Sequence, residues 1–474
     1  MGTLDYIVIV LFLVTMLVIG FIAKGQVNNM DDFILGGRRF NKFALTGTIL
    51  ATMMGSGMTM GAVGNVYGNG IGGSMFWIYA GFAIGLFALG FMSKSIRKTG
   101  ARSLAEIVNM AFGKYARLAS AMVVIIYAVS LVAINIAGFR TIIIYGFGDD
   151  FSLSIAVATT IATLVCITFT AVGGMFAVVW TDTAQLVIMI VGLFVLGPII
   201  GIAAADGVGN IAAEVTSQGL SMTNPLVDGM SPVFIGLALS YFLACPGDPT
   251  MPQRVLSAKT DGTAKFSFII SGFCAILFTL SILFIGCSIM VLMPGLDNAD
   301  SALPLFIVNY YPPVLKGIAI AGIIAAVMSS FSSFLILATT HITYDVGRVI
   351  KEDLDEKKIN KAMPILTIII GLLGLVVALY IQSLLGYLTM VFSIVGASLV
   401  PVLFAALYFK EKTSRFGAIS SIIVGALVPA VLFMTKGYDV FLGDPVFLGL
   451  FSAIAVLVLG SILVKDKKKT EVIA

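Results

Sequence analysis

The stretch that decides the fold covers residues 244–252 and reads ACPGDPTMP. It lies inside an apolar run at 232–256 that is long enough to cross a bilayer as a helix. Proline has no backbone N–H and clashes with the preceding turn, so three prolines and a glycine within seven residues break the helical hydrogen bonds. Lipid cannot satisfy the freed peptide groups, which must therefore face protein or a water-filled cavity. The sequence predicts a helix that unwinds over residues 246–250 within the membrane.

A second interruption lies in the apolar run at 43–68, where residues 51–61 read ATMMGSGMTMG. Close packing of helices on glycines would explain this run, but it does not explain the prolines of 244–252. If the first apolar run is set aside, the two interrupted runs are the first helices of two successive sets of five. Such a pair predicts an inverted-repeat transporter with its binding site at mid-membrane.

The composition excludes a water-soluble globular protein. Hydrophobic residues make up 59% and charged residues 11% of the 474 residues, and the mean hydropathy is +1.08. We predict thirteen membrane-spanning helices, at approximately 5–23, 43–68, 73–93, 117–145, 152–172, 176–204, 232–256, 264–293, 314–345, 362–385, 386–409, 416–435 and 445–464. No connecting loop is long enough for a soluble domain, and the missing GxxxxGK[ST] motif disfavours an ATP-driven pump.

The fold class expected from this layout is an all-α membrane protein with a five-plus-five inverted repeat. Residues 1–474 form a single transmembrane transporter domain. Within it we expect an extra N-terminal helix, a first repeat, a second repeat and two extra C-terminal helices, at 5–23, 43–204, 232–409 and 416–464.

Lysines and arginines predict the orientation, because cytoplasmic loops keep basic residues and translocated loops lose them. With the N-terminus outside, 25 of the 28 basic residues lie on the cytoplasmic side, and only Arg140, Lys316 and Lys436 lie outside. We therefore predict a multi-pass protein of the cell membrane with an external N-terminus and a cytoplasmic C-terminus. The net charge of +4 reflects this bias and does not indicate a nucleic-acid partner.

A cluster of hydroxyls lies in the ninth predicted span, where residues 325–335 read AAVMSSFSSFL. Ser329, Ser332 and Ser333 share one helical face by their i, i+3, i+4 spacing. Hydroxyls and unwound carbonyls supply the oxygens that a hard cation such as sodium prefers, without burying a net charge. The alternative is that the serines bond back to their own helix.

Two aspartates lie in the interior of predicted spans, where an ionisable group is costly and commonly marks an ion or proton pathway. For Asp182 the alternative is a cap at the membrane interface or an ion pair with a basic loop. Asp248 lies in the broken helix and has three candidate partners: an ammonium group, a proton, or an arginine such as Arg254. The only histidine, His341, is expected to be a packing residue at a helix end rather than a proton relay.

Three motifs carry a resemblance to a known family. Residues 173–185 read GGMFAVVWTDTAQ, residues 253–259 read QRVLSAK, and the run at 325–333 is followed by Asp345. Together with the thirteen-helix layout, they match over roughly residues 5–435. The chain resembles the sodium/solute symporter family, which contains sodium-coupled sugar, proline, pantothenate, sialic acid and choline carriers, with local similarity to the choline and proline carriers. This resemblance implies the leucine-transporter fold and alternating access around a central site.

The resemblance also implies where sodium binds. A principal site would use backbone carbonyls and hydroxyls, from Ala51, Met54, Ala326, Ser329 and Ser330. Some members hold a second sodium, for which this chain offers Asp182, Ser329, Ser332 and Ser333. One or two sodium ions are therefore expected.

By the same resemblance, the substrate pocket is lined by Gly55, Ser56, Gly57, Trp77, Tyr241, Cys245 and Asp248. Aromatic faces beside a carboxylate suit an amine or ammonium group through cation–π contact. Asp248 replaces a tryptophan of the choline carriers, Ala244 stands where sugar carriers have a gating tyrosine, and Met53 stands where proline carriers have an aspartate. Interfacial anchoring is the alternative role for Trp77 and Tyr241.

These features predict a sodium-coupled symporter that carries a small polar organic solute into the cytoplasm, with an amino acid or amine favoured. The alternative is proton-coupled uptake of a small carboxylate or amino acid. A channel or a membrane-embedded enzyme is a third class; enzyme activity is not expected, because the spans offer no cluster of His, Asp, Glu or Cys residues. Expected partners are a small-molecule substrate and membrane lipid. A monomer would suffice for transport, although an oligomer is compatible with these features.

Overall fold

Helices form the regular secondary structure in the computed structural model of this protein. The structure describes residues 1–26, 29–71, 75–147, 155–224, 232–351, 356–437, 440 and 444–466. Within these ranges the chain forms helices, turns and one isolated backbone bridge, and no strand. This confirms the all-α class.

In chain order, the α-helices are α1 (Thr3–Lys24), α2 (Met30–Leu35), α3 (Lys42–Met53), α4 (Ala62–Asn69), α5 (Met75–Lys98), α6 (Leu104–Phe112), α7 (Lys114–Ile142), α8 (Ile155–Met189), α9 (Leu196–Ala204), α10 (Val208–Ser217), α11 (Pro232–Gly247), α12 (Thr250–Ser257), α13 (Asp261–Leu292), α14 (Ala302–Tyr310), α15 (Leu315–Thr340), α16 (Gly347–Ile350), α17 (Glu356–Ala378), α18 (Leu384–Tyr408), α19 (Arg415–Thr435) and α20 (Val446–Leu463).

Many of these helices are long and apolar enough to cross a membrane. In the described part of the chain, nine segments meet this criterion, and three shorter apolar segments accompany them at Ala156–Thr168, Phe234–Gly247 and Ala362–Ala378. A chain with this many apolar helices of membrane-spanning length is a multi-pass membrane protein. Residues 73–74 and 152–154 of the predicted runs lie outside the described residues.

One pair of predicted runs, 152–172 and 176–204, is joined within α8. The backbone turns at Gly174, which has φ 55° and ψ −151°. A Cβ atom at this position would lie 2.7 Å from the ring of Phe33. Only glycine tolerates both the positive φ and this close approach.

The first predicted interruption is present. Helix α3 ends at Met53, residues 54–56 are not helical, and a π-helical turn over Gly57–Gly61 leads into α4. A Cβ on Gly57 would lie 2.7 Å from the side chain of Leu388, so a glycine lets α18 pack directly against the unwound backbone.

The second interruption is also present, but it is narrower than the predicted range of 246–250. Helix α11 continues through Pro246 to Gly247, and α12 begins at Thr250, so that only residues 248–249 are not helical. The N–H of Asp248 still bonds to the carbonyl of Ala244 at 2.6 Å. Pro246 lacks a backbone N–H, but the N–H of Asp248 can still donate and continue the last turn of α11. The predicted length of the interruption is therefore wrong.

Helix α15 lies at the centre of the bundle. It packs against α1, α3, α7 and α8, and every residue in its most apolar window is buried. Its serines therefore face protein and not lipid.

Candidate functional site

The first group of predicted ligands meets where the end of α3 packs against α15. The Ser329 hydroxyl donates to the carbonyl oxygens of Ala51, at 2.9 Å, and of Ala326, at 3.0 Å. All three residues are fully buried. The N–H of Met54 turns back to the Ala51 carbonyl at 3.3 Å, because the helix ends here. The unwinding thus leaves peptide oxygens beside a helix that carries hydroxyls.

The neighbouring serine makes a parallel contact. Ser330 donates to the carbonyl oxygen of Thr52 at 2.7 Å. A Cβ on Gly55 would lie 2.6 Å from the Ser330 hydroxyl, so a glycine at position 55 permits the approach. Ser329 and Ser330 therefore bind the consecutive carbonyls of Ala51 and Thr52.

Asp182, on α8, belongs to a second buried group. Its Oδ2 atom accepts hydrogen bonds from Thr48 at 2.6 Å and Thr52 at 3.3 Å, and lies 3.6 Å from Nη2 of Arg254. The Ser333 hydroxyl lies 2.9 Å from that of Thr52 and accepts a hydrogen bond of 2.8 Å from Arg254. An ion pair is therefore the role of Asp182 that the structure shows, with Arg254 as its partner.

Ser332 differs from the other serines of α15. Its hydroxyl donates to the carbonyl of Ser329 on the same helix, at 3.0 Å, which is the back-bonding expected as the alternative for these serines. Ser329 also bonds to its own helix, at Ala326, but it reaches Ala51 on α3 as well. The Oδ1 atom of Asp182 has no hydrogen-bond partner within the described ranges, and neither do the side-chain N and O atoms of Gln185.

A small cavity of about 30 Å³ lies beside the unwound part of α3. Four of the predicted substrate residues line it: Gly55, Ser56, Gly57 and Asp248. Its other walls come from Thr52, Met53, Met58, Phe82, Leu131, Ile134, Asn135, Met251, Ser330, Phe334, Leu388 and Phe392. Asp248 also caps α12, because its carboxylate accepts hydrogen bonds from the N–H and the hydroxyl of Thr250 at 2.9 and 2.8 Å.

The other three predicted substrate residues lie outside this lining. Trp77 stacks on a ring of α11, with 6.3 Å between centroids. Tyr241 packs edge-on against Phe392, at 5.3 Å, and Cys245 donates to the carbonyl of Phe82 at 3.2 Å. Tyr241 and Cys245 thus position residues that do face the cavity.

Asn135 is a cavity residue that the sequence reasoning missed. Its Oδ1 atom accepts from the N–H and the hydroxyl of Ser56, both at 3.3 Å, and its Nδ2 donates to Leu131 at 2.8 Å. A lone amide within the apolar run 117–145 was the available signal, since a buried amide needs partners. The phenylalanines of the lining carry no such signal, because phenylalanine is common in the apolar runs of this chain.

A sequence profile of the sodium:solute symporter family matches residues 33–425. The chain belongs to that family. The symporter is 27% identical to the sodium/proline symporter of Escherichia coli, over 94% of this chain and 89% of that protein. It is 26% identical to the high-affinity choline transporter 1 of Drosophila melanogaster, over 89% of this chain and 69% of that protein. It is therefore a sodium-coupled carrier of a small solute and not an enzyme.

Solved structures show the fold of the symporter. A sodium-coupled sialic acid symporter in a substrate-bound, outward-open state matches with a TM-score of 0.85 and 22% identity, over 98% of both chains. Mhp1, a nucleobase-cation-symport-1 family transporter, in a closed conformation, matches with a TM-score of 0.61 and 14% identity, over 92% of this chain and 95% of that chain. These neighbours confirm a helical membrane transporter of the leucine-transporter type.

At one face of the symporter, which we call the basic face, arginines contact the segments that connect the helices: Arg38, Arg39, Arg97, Arg102 and Arg117. Buried Asp345 binds Nε of Arg117 at 2.8 Å and accepts a hydrogen bond from Ser103 at 2.9 Å. His341 is buried beside it, with Nε2 3.7 Å from the Asp345 carboxylate. These contacts tie α6, α7 and the end of α15 together at this face.

The chain segments next to the two interrupted helices also meet at the basic face. The N–H of Phe40 donates to the carbonyl of Ser257 at 3.4 Å, and the N–H of Lys259 donates to the carbonyl of Phe40 at 2.9 Å. The start of α3 and the end of α12 are thus joined by backbone hydrogen bonds.

At the opposite end of α3 and α4 the symporter has a larger cavity of about 420 Å³, which we call the vestibule. Its lining is Gly61, Gly64, Asn65, Gly68, Asn69, Ile78, Leu237, Ala299, Asp300, Ser383, Leu385, Gly386 and Thr389. Asp300 accepts a hydrogen bond of 3.0 Å from the N–H of Leu384 and thereby fixes the start of α18. Leu385 and Leu388 of α18 contact Gly61 and Gly57, so this helix end separates the vestibule from the central cavity.

Proposed function

We propose that this symporter binds sodium between α3 and α15, and the groups that would hold the ion are the carbonyl oxygens of Ala51, Met54 and Ala326 and the hydroxyls of Ser329 and Ser330. The observation that carries the proposal is the Ser329 hydroxyl, which lies within 3.0 Å of the carbonyl oxygens of both Ala51 and Ala326. Neutral oxygens suit a hard cation, and the hydroxyl protons can turn away when the ion arrives.

The substrate that we propose is a small amino acid or amine bound beside residues 55–57. The unwound backbone offers peptide groups, Asp248 offers a carboxylate, and Phe82, Phe334 and Phe392 offer aromatic faces. Relatives named for proline and for choline support this class. A cavity of about 30 Å³ is too small for such a solute, so binding requires α18 to move away from the unwound segment. Tyr241 and Cys245 contact residues of the cavity lining, whereas Trp77 packs against Phe234 of α11.

We also propose that the chain crosses the membrane thirteen times. The nine long segments, the three shorter apolar segments and the interrupted α3–α4 helix together supply this number. The crossings would follow the order of one extra helix over 5–23, two five-helix repeats over 43–204 and 232–409, and two further helices over 416–464. The basic face would lie in the cytoplasm and the N-terminus outside, since basic loops are retained on the cytoplasmic side. A monomer contains all the groups of the proposed site.

The test is uptake of radiolabelled L-proline and choline by proteoliposomes that contain the purified protein, with sodium and pH gradients imposed separately. The expected result is accumulation of one of the two solutes that requires an inward sodium gradient. Accumulation driven by a pH gradient without sodium would favour the proton-coupled alternative. Uptake that stops when the solute concentrations inside and outside the proteoliposomes are equal would indicate a channel.

A variant tests the role of Asp248. Asp248→Asn keeps an oxygen that can accept the N–H of Thr250, but it removes the negative charge from the cavity. The substrate concentration that gives half-maximal uptake is expected to rise by roughly tenfold or more for a solute with an ammonium group. An unchanged value would show that Asp248 serves only as a helix cap.

A further inference from the structure

A cavity of about 430 Å³ lies between α7, α8 and α17, and we call it the Arg140 groove. Seven of its ten lining residues are aliphatic, and the other three are Arg140, Thr159 and Thr160. A pocket for a polar solute needs several convergent polar groups. This groove instead combines aliphatic walls with a single charged side chain, which is the arrangement that suits an amphiphile.

The Arg140 groove is open to the lipid that surrounds the protein. Val376 and Leu379 line it and are 56% and 69% exposed, and Ala156 on its other wall is exposed as well. The helices that carry Ala156 and Val376 belong to the apolar segments of the membrane-spanning set. Exposed aliphatic side chains on such helices contact acyl chains and not water. Membrane lipid is therefore the apolar molecule that can enter the groove.

The position of Arg140 along α7 places it at the depth of lipid head groups. Arg117 belongs to the basic face and lies on the same continuous helix. From Arg117 to Arg140 the helix rises by roughly 35 Å, at about 1.5 Å per residue. The hydrocarbon core of a bilayer is ~30 Å thick. With Arg117 at one membrane surface, Arg140 therefore reaches the phosphates of the other.

The charge of Arg140 is not compensated by a carboxylate within the described ranges. Arg140 is half-buried, and its Nη2 donates to the carbonyl of Ile381 at 3.3 Å, which is a neutral acceptor. That hydrogen bond holds the guanidinium beside the groove. A guanidinium has five N–H groups and can bind a phosphate through two of them at once. Basic side chains in pockets between membrane-spanning helices bind lipid head groups in this way.

We propose that the Arg140 groove binds one phospholipid of the surrounding membrane, with the head-group phosphate on Arg140 and an acyl chain along the aliphatic walls. The site goes beyond the proposed function, since it shares no residue with the sodium site or the solute cavity. Ile381 lies in the connection between α17 and α18. The bound lipid would therefore lie next to the segment that leads into α18.

The test is a titration of the purified, full-length protein in detergent with phosphatidylglycerol, followed by native mass spectrometry. Wild type is expected to bind a first lipid more tightly than the later ones. Arg140→Gln removes the charge and is expected to weaken the first binding step roughly tenfold. Lys436→Gln is the matched control, because it removes one positive charge from an exposed position after α19, outside the groove.

A second pair of variants tests the groove without touching the charge. Ala156 is exposed, so the indole of Ala156→Trp would fill the groove without displacing the helices. The first binding step is expected to weaken by a similar factor. Val157→Trp is the control, since Val157 is also exposed but does not line the groove.

Two further ligands separate the head group from the acyl chains. Glycerol phosphate, which has no chains, should not displace the first lipid from wild type. Diacylglycerol, which has no phosphate, should bind wild type and Arg140→Gln equally.

An unchanged first binding step in Arg140→Gln would overturn the proposal, and so would equal weakening in the two control variants. Displacement of the lipid by glycerol phosphate would show a site for free phosphate instead. If Arg140→Gln does not fold, as judged by size-exclusion chromatography, Ala156→Trp against Val157→Trp still decides whether the groove holds the lipid. Tighter binding of phosphatidylglycerol than of diacylglycerol to wild type then decides whether the phosphate is bound.

Discussion

The hydroxyl of Ser329 on α15 lies 2.9 Å from the carbonyl oxygen of Ala51, at the last turn of α3. This contact connects the fully buried part of α15 to the point where the chain stops being helical. A peptide oxygen in the last turn of a helix lacks the usual donor four residues further on. The Ala51 carbonyl keeps only the bond of 3.3 Å from the N–H of Met54, and it can accept a second one. In this protein the partner is a hydroxyl, which can itself be replaced by an ion.

The first prediction concerns that hydroxyl. Ser329→Ala removes one proposed ligand of the sodium ion, and we expect the sodium concentration for half-maximal uptake to rise roughly tenfold to a hundredfold. Uptake at saturating sodium should be affected less. The control is Ser398→Ala, because Ser398 is also buried but donates to the carbonyl of Ile394 on its own helix at 2.8 Å. Equal shifts in both variants would contradict the prediction.

The second prediction concerns the close packing at Gly55. A Cβ there would lie 2.6 Å from the Ser330 hydroxyl and 3.2 Å from Oδ1 of Asn135. Gly55→Ala should therefore displace Ser330 and reduce uptake to background, measured in proteoliposomes with equal amounts of protein. Gly209→Ala is the control, since a Cβ at Gly209 in α10 meets nothing within 4 Å. It should keep full uptake, and a loss there would indicate a general effect of the substitution.

The third prediction concerns Asp5, which joins α1 to the start of α15. Its Oδ1 atom accepts hydrogen bonds from the N–H groups of Val314, at 2.8 Å, and Gly317, at 3.2 Å, and the residue is 1% exposed. Val314 has a φ of 73°, so the carboxylate also holds a strained turn in place. We expect Asp5→Ala to lower the free energy of unfolding by about 1–3 kcal/mol, seen as a lower melting temperature in detergent. Asp5→Asn keeps an acceptor oxygen, and a loss as large as that of alanine would argue against the cap.

The fourth prediction concerns pH and Asp300. Burial beside the vestibule raises the pKa of its carboxyl above the ordinary value of 3.8, and the hydrogen bond from Leu384 opposes the rise. The folded protein then binds this proton more tightly than the unfolded chain does. The contribution of Asp300 to the free energy of unfolding therefore falls as the pH rises from about 3.8 through the folded-state pKa. Above the folded-state pKa the buried carboxylate is ionised and destabilises the fold by its full amount.

We accordingly expect Asp300→Asn to melt at a higher temperature than wild type near neutral pH. The difference should shrink as the pH falls through the folded-state pKa and disappear below about pH 3.8, where the wild-type carboxyl becomes protonated in both states. Melting curves of both proteins across this pH range check the expectation. A constant difference at all pH values would show that hydrogen bonding, and not charge, decides the effect.

The positions of both helix interruptions could be predicted from the sequence, because glycine and proline act on the local backbone. The exact extent of the second could not: Pro246 stays inside α11, since the N–H of Asp248 returns to Ala244. The serines of α15 were predictable as a group from their spacing. The sequence could not predict that Ser332 bonds only within α15 while Ser329 and Ser330 reach α3. That difference depends on which hydroxyl faces another helix.

Contacts between distant segments account for most of what the sequence left open. Arg254 was one of three candidate partners for Asp248, but its guanidinium donates to Ser333 and pairs with Asp182 at 3.6 Å. Which carboxylate Arg254 pairs with depends on how α3, α8, α12 and α15 pack, and no local sequence pattern encodes that packing. The family resemblance predicts Trp77 in the pocket, yet the face of the helix on which it lies decides its neighbours.

The backbone hydrogen bonds of Phe40 with Ser257 and Lys259 have a mechanical consequence. Because these bonds join the start of α3 to the end of α12, we expect the two helices to move together when the basic face opens. The same movement would separate Ala51 from Ser329 and carry Asp248 away from the cavity wall. The sodium ion and the solute would then be released together, so that neither crosses the membrane alone.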